Sequence, residues 1–157
     1  MAGKRMISNA ICTSEKLAKV SHAAFRLWVC LLSQTDDFGN FHGNARIVWG
    51  QCVPLVPDMT PDAVETLIQE LEDVRNGDPE DKGLIELYEE GGKRYIHLTN
   101  FENWQILRSD RPKDQRHPNP FESSGIALTP IGIPLVVNGM PEVKISKEKI
   151  SKEKDAI

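Results

Sequence analysis

Residues 84–99 read Leu84-Ile85-Glu86-Leu87-Tyr88-Glu89-Glu90-Gly91-Gly92-Lys93-Arg94-Tyr95-Ile96-His97-Leu98-Thr99. Two runs of alternating character flank a Gly-Gly pair, the pattern of a hairpin closed by a two-residue connection. Ile85 and Leu87 alternate with Glu86 and Tyr88, and Ile96 and Leu98 alternate with Tyr95 and His97. One face of the hairpin is therefore expected to pack inward and the other to face solvent.

Upstream of the hairpin, Thr60-Pro61-Asp62 is a strong helix start: an N-cap, a proline at the first helical position and an acid at the positive end of the dipole. Ala63, Val64, Leu67, Ile68, Leu71 and Val74 follow at three- and four-residue spacing, which predicts an amphipathic helix over 61–74. Asn44 caps a predicted helix from Ala45 to about Cys52, ended by Pro54 and Pro57, and Phe41-His42-Gly43 leaves room for only a short strand. Ser21 caps a helix from His22 to Thr35 that is apolar on most faces and so expected to be central. Asp36-Asp37-Phe38-Gly39-Asn40 stops that helix by turn chemistry, since a calcium loop needs further alternating oxygen ligands. Ser14 opens a short helical turn carrying Leu17 and Val20. Downstream, Asn100 to Leu107 reads as one more helical segment and everything after Arg108 as tail.

The expected core joins Phe25, Leu27, Trp28, Leu31 and Leu32 to Val64, Leu67, Ile68 and Leu71, with Ile85, Leu87, Ile96 and Leu98 from the hairpin. Helix, short strand, helix, helix, hairpin is an α+β order, mainly α, and it matches a winged helix-turn-helix with the hairpin as wing. Residues 1–107 are expected to form that domain, and 108–157 a Pro-rich basic arm with a low-complexity, extended or disordered tail.

The chain has 157 residues, 39% apolar and 27% charged, with no apolar run near 18 residues. Met1 to Lys19 is broken by Lys4, Arg5, Glu15 and Lys16, which argues against a secretory leader. Cys12, Cys30 and Cys52 are odd in number, lack CxxC spacing and have apolar neighbours, the signature of a reduced cytoplasmic protein with buried thiols. No His pairs with another His or a Cys at metal-ligand spacing, and there is no phosphate loop or GxSxG. Neither a metal, a cofactor nor catalysis is expected.

Charge is uneven. Residues 61–90 carry two basic and eleven acidic groups, whereas 1–20 carry four basic and one acidic and 91–120 carry six basic and three acidic. Lys93, Arg94, Arg108, Arg111, Lys113 and Arg116 are accordingly the candidate nucleic-acid contacts, as an arm tracking phosphates beside the wing; the same residues also fit an ordinary charged surface. The helix over 61–74 offers Asp62, Glu65, Gln69 and Glu72 with no base among its outward residues. Such a face approaches phosphates poorly; it reads either as a solvated surface or as a docking face for a basic partner or a second copy.

Ser14-Glu15-Lys16-Leu17-Ala18-Lys19-Val20-Ser21, Asp36-Asp37-Phe38-Gly39-Asn40-Phe41, Gly83-Leu84-Ile85 and Tyr95-Ile96-His97-Leu98-Thr99-Asn100-Phe101 with Trp104-Gln105 resemble, in their order and spacing, a family of bacteriophage and prophage replication proteins. Their N-terminal winged helix is similar to that of DnaD-type replisome organisers. The resemblance spans about residues 5–120 and implies a non-catalytic part in starting phage DNA replication inside the bacterial host. Such a protein would bind DNA or bridge it to the helicase-loading machinery, and would self-associate. The same fold would also serve a transcriptional regulator, and the acidic helix an adaptor that never touches DNA. Two features of the tail stand apart: the apolar stretch 126–137 reads as a strand-like peptide or as a linker, and Lys144-Ile145-Ser146-Lys147-Glu148 recurs at 149–153, kept for its DNA or left by duplication.

Overall fold

Four side-chain caps set where the helices begin in the computed structural model. Ser14 accepts from the Leu17 N–H at the head of α1 (Glu15–Lys19), and Ser21 accepts from Ala24 at the head of α2 (His22–Gln34). Asn44 accepts from Arg46 at the head of α3 (Ala45–Cys52), and Thr60 from Ala63 at the head of α4 (Pro61–Asp73). Each satisfies an N–H that the first helical turn leaves without an internal partner. The structure describes residues 4–107, 109–110 and 112–120, and the strand residues 127–128 and 134–135. Arg108 and Arg111 lie outside the described residues, as does the repeat at 144–153.

Three strands, β1 (Asn40–His42), β2 (Ile85–Glu90) and β3 (Lys93–Leu98), form one antiparallel sheet in the order β1-β3-β2. Gly91 and Gly92 have φ of 57° and 74°, and Glu90 pairs with Lys93. Two consecutive positive φ values are what a tight hairpin with the native strand twist requires, and glycine adopts them without strain. The first compact unit is thus mainly helical with one small sheet.

The core gathers Leu27, Trp28, Leu31 and Leu32 of α2, Val64, Leu67, Ile68 and Leu71 of α4, and Ile85, Ile96 and Leu98 of the sheet, all buried. Phe25 and Leu87, expected inside, are only partly buried at its margin. Phe41, Val48, Val53 and Phe101 complete it. The segment after β3 makes a shorter helix than expected, α5 (Phe101–Trp104), entered through Asn100 in the left-handed region, and Trp104 meets Trp28 edge to face with ring centroids 4.8 Å apart. Cys30 and Cys52 are partly covered, but Cys12 is exposed, because the 3-10 turn Asn9–Cys12 buries none of its residues.

The larger departure concerns the outer face of the sheet and the residues after Arg108. Tyr95 and His97 were expected in solvent, yet they are 9% and 7% exposed. Residues 112–118 run across the turn at 36–37 as a strap and bring His117 against Phe41, His42 and Tyr95. The Asp36 carboxylate anchors the strap by accepting the N–H groups of Arg116 and His117 at 3.1 Å each, while its other oxygen takes those of Phe38 and Asn40. Asp37 accepts the Asp114 N–H at 2.8 Å, and Tyr88 donates its hydroxyl to the Pro118 carbonyl. The first compact unit therefore closes after Pro118, not after Leu107. In the second unit, Asn119–Ile157, two short strands, β4 (Ala127–Leu128) and β5 (Pro134–Leu135), pair antiparallel with each other.

Candidate nucleic-acid interface

The heads of α3 and α4 and the tip of the β2-β3 hairpin enclose a cleft of about 800 Å³. Local sequence builds each wall. The Asn44 cap turns the chain into α3 and puts Arg46 on its first turn; Thr60-Pro61 does the same for α4, with Asp62 and Glu65 beside it; Gly91-Gly92 folds the hairpin so that Lys93 and Arg94 come back to the mouth. Two helix N-termini, whose dipole ends favour anions, open near one another there.

The cleft holds three cations, Arg46, Lys93 and Arg94, and two carboxylates, Asp62 and Glu65. Arg94 and Glu65 cancel each other in a fork-to-fork pair, Nη1 to Oε1 at 2.8 Å and Nη2 to Oε2 at 2.6 Å. The guanidinium holds the Glu65 carboxyl below the ordinary carboxylate range, and Glu65 in turn holds the Arg94 proton more tightly. Arg46 and Lys93 are exposed and have no carboxylate partner among the described residues. What the cleft offers an anion is therefore Arg46 from α3 and Lys93 from the hairpin.

The basic residues picked out by charge runs fare differently. Lys93 stays available. Arg94 is engaged with Glu65 and the Gly43 carbonyl. Arg116, expected on an outstretched arm, donates to the carbonyls of Gln34 and Thr35 and pairs with Asp114 at 3.1 Å, because the Asp36-Asp37 turn captures the strap. Lys113 lies over the Phe38 ring at 5.3 Å. In the N-terminal run, Arg5 is buried against Asp37 and Lys16 is paired with Asp81. Arg46 was missed because it falls in a stretch whose net charge is negative; its signal was local, the second residue after a helix cap.

The acidic helix also resolves residue by residue. Glu65 belongs to Arg94, Glu70 caps the Ser21 N–H at 2.6 Å, and Gln69 donates to both Glu72 and Asp73 along its own helix. The outward stripe of α4 is Asp62, Thr66, Gln69 and Asp73, without a base.

His42 touches both features, since it lines the cleft and packs on His117 of the strap with ring centroids 4.6 Å apart. Burial lowers the pKa of both imidazoles; Lys93 adds to the effect at His42, and His42 adds to it at His117. Tyr88 and Tyr95 stack beside them, centroids 5.5 Å apart. Among the described residues no three His, Cys, Asp or Glu side chains gather as a metal site, and no helix is long and apolar enough to cross a membrane. No family model, curated protein or solved structure matches the chain.

Proposed function

We propose that this chain is a winged-helix DNA-binding accessory module of the phage replication type, without catalysis of its own. Its partners in this reading are DNA, a second copy of itself and proteins of the helicase-loading machinery. The reading is supported by the element order with its β1-β3-β2 sheet and by the resemblance described above. The observation that carries it is the cleft, where two cations without carboxylate partners among the described residues, Arg46 and Lys93, stand beside two helix N-termini. Backbone phosphate is the anion that such a site takes. The outward stripe of α4 argues against insertion of that helix into a major groove, so binding is expected to tolerate sequence changes.

Fluorescence anisotropy with a labelled duplex tests this. Two phosphate contacts give a slope of log K against log salt of about −1.8, and Arg46→Ala with Lys93→Ala abolishes most of the binding. Equal loss on every duplex supports the accessory reading. A single high-affinity operator and loss on Gln69→Ala alone point instead to a transcriptional regulator. No binding at low salt leaves the adaptor reading, with the acidic stripe of α4 as the docking face.

A further inference from the structure

Arg94 is one of the six residues that the charge runs mark as phosphate contacts, and its geometry assigns it another task. Its Nε and Nη2 donate to the Gly43 carbonyl at 2.8 and 2.5 Å, its two Nη groups fork onto Glu65, and its own carbonyl accepts the Gly43 N–H at 2.8 Å. One side chain thereby ties the hairpin to the head of α4 and to the turn between β1 and α3. The approach is close enough to need a glycine: a Cβ on Gly43 would stand 2.8 Å from the backbone carbon of Arg94. Lys93 precedes Arg94 in the chain, and Arg46 follows Gly43 by three residues across the Asn44 cap. The joint therefore sets the distance between the two available cations.

We propose that Arg94 and Glu65 form a positioning clasp that holds Lys93 and Arg46 on facing walls of the cleft for contact with a nucleic-acid backbone, and that neither clasp residue contacts the phosphates. This rests on the DNA reading above and adds to it a division of labour within the cleft. The physical argument turns on sign. If Glu65 merely sat near bound phosphates, removing its charge would strengthen binding by relieving repulsion. If Glu65 holds Arg94, and through it the hairpin, removing its charge weakens binding instead. A bidentate fork is a geometric constraint as well as a charge pair, so lysine does not replace arginine in it.

The test uses the full chain with Glu65→Gln, Arg94→Ala and Arg94→Lys, read by anisotropy across a salt series and by amide hydrogen exchange. Glu65→Gln is expected to weaken duplex binding about fivefold or more, and Arg94→Lys similarly, with the salt slope of each unchanged. Arg94→Ala is expected to weaken binding at the wild-type slope, whereas loss of a phosphate contact would make that slope shallower by about 0.9. In all three variants the Gly43 amide, which donates to Arg94, should exchange faster while the core-facing amides of Leu84 and Leu98 keep their protection. That pattern separates a loosened hairpin from general unfolding and does not depend on DNA. Tighter or unchanged binding by Glu65→Gln overturns the clasp, as does a shallower slope for Arg94→Ala or an unchanged Gly43 amide. If the wild-type chain binds no duplex at low salt, the DNA reading fails, and the Gly43 exchange alone decides whether the clasp exists.

Discussion

Asp37 and Asp114, 77 residues apart, hold each other by two hydrogen bonds: the Asp37 N–H donates to the Asp114 carbonyl at 2.9 Å, and the Asp114 N–H donates to the Asp37 carboxylate at 2.8 Å. The other oxygen of that carboxylate takes Arg5 Nη1 at 2.9 Å, with the guanidinium above the Phe101 ring. One aspartate thus gathers the first described residues and the strap onto the end of α2. The Arg5 and Asp37 side chains are 5% and 2% exposed, so their charges are screened by each other and hardly by water.

Asp37→Ala should therefore be severe. It leaves a buried guanidinium without its counter-charge and frees an N–H in the strap, a loss of roughly 3–5 kcal/mol. Urea unfolding measures it; a cost under about 1 kcal/mol would mean that Arg5 finds water once the partner is gone.

Cutting the chain separates two placements of the domain end. A chain stopped after Pro118 keeps the Asp36 and Asp37 anchors and should unfold at the same urea midpoint as the whole. One stopped after Leu107 loses them and the His117 ring over Tyr95, and its midpoint should fall. Equal midpoints for the two would show that the strap contributes nothing to folding.

Docking of the strap should depend on pH. His42 and His117 both titrate below the ordinary histidine value, His42 through burial and Lys93, His117 through burial, His42 and Arg116, with Asp36 and Asp114 opposing. Tyr95 packs on both rings. The docked state then binds fewer protons than the released one, so the stabilisation is complete above about pH 6.5 and is lost as pH falls through the lowered values. Exchange of the Arg116 and His117 amides reads the release, and His117→Phe, which keeps a ring without a titrating group, should flatten the response. Protection that persists unchanged to about pH 5 would remove His117 as the cause.

Gly43→Ala forces a methyl group into the backbone of Arg94. The hairpin has to move away from α3, at a cost of about 1–3 kcal/mol, with weaker duplex binding where the cleft binds DNA. Thermal unfolding that matches the wild type would show that the turn shifts freely.

Leu71, fully buried between α4 and the sheet, gives the reference for the core: Leu71→Ala should cost roughly 2–5 kcal/mol in urea unfolding. A smaller loss would mean that the space collapses around the missing side chain.

Much of the fold was legible because its determinants are local. Ser14, Ser21, Asn44 and Thr60 each cap the helix that follows within three residues, and Gly91-Gly92 closes a hairpin whose register follows from the turn alone. The apolar stripe of α4 repeats within one element, so its inward face could be read directly. Charge could not be read that way. A run of like residues says nothing of partners contributed from elsewhere, and here Arg94 meets Glu65 across 29 positions, Arg5 meets Asp37 across 32, and the Arg116 N–H reaches Asp36 across 80. Counting charges by stretch therefore named residues that folding neutralises and passed over Arg46, which folding leaves available beside Lys93. Sequence by itself determined where helices start, where the chain turns and which faces are apolar, since those depend on neighbours a few residues away. Only the tertiary structure decided which of the described cations pair with carboxylates and that residues 112–118 pack against the sheet, because both depend on pairings between distant segments that exist only once the core has closed.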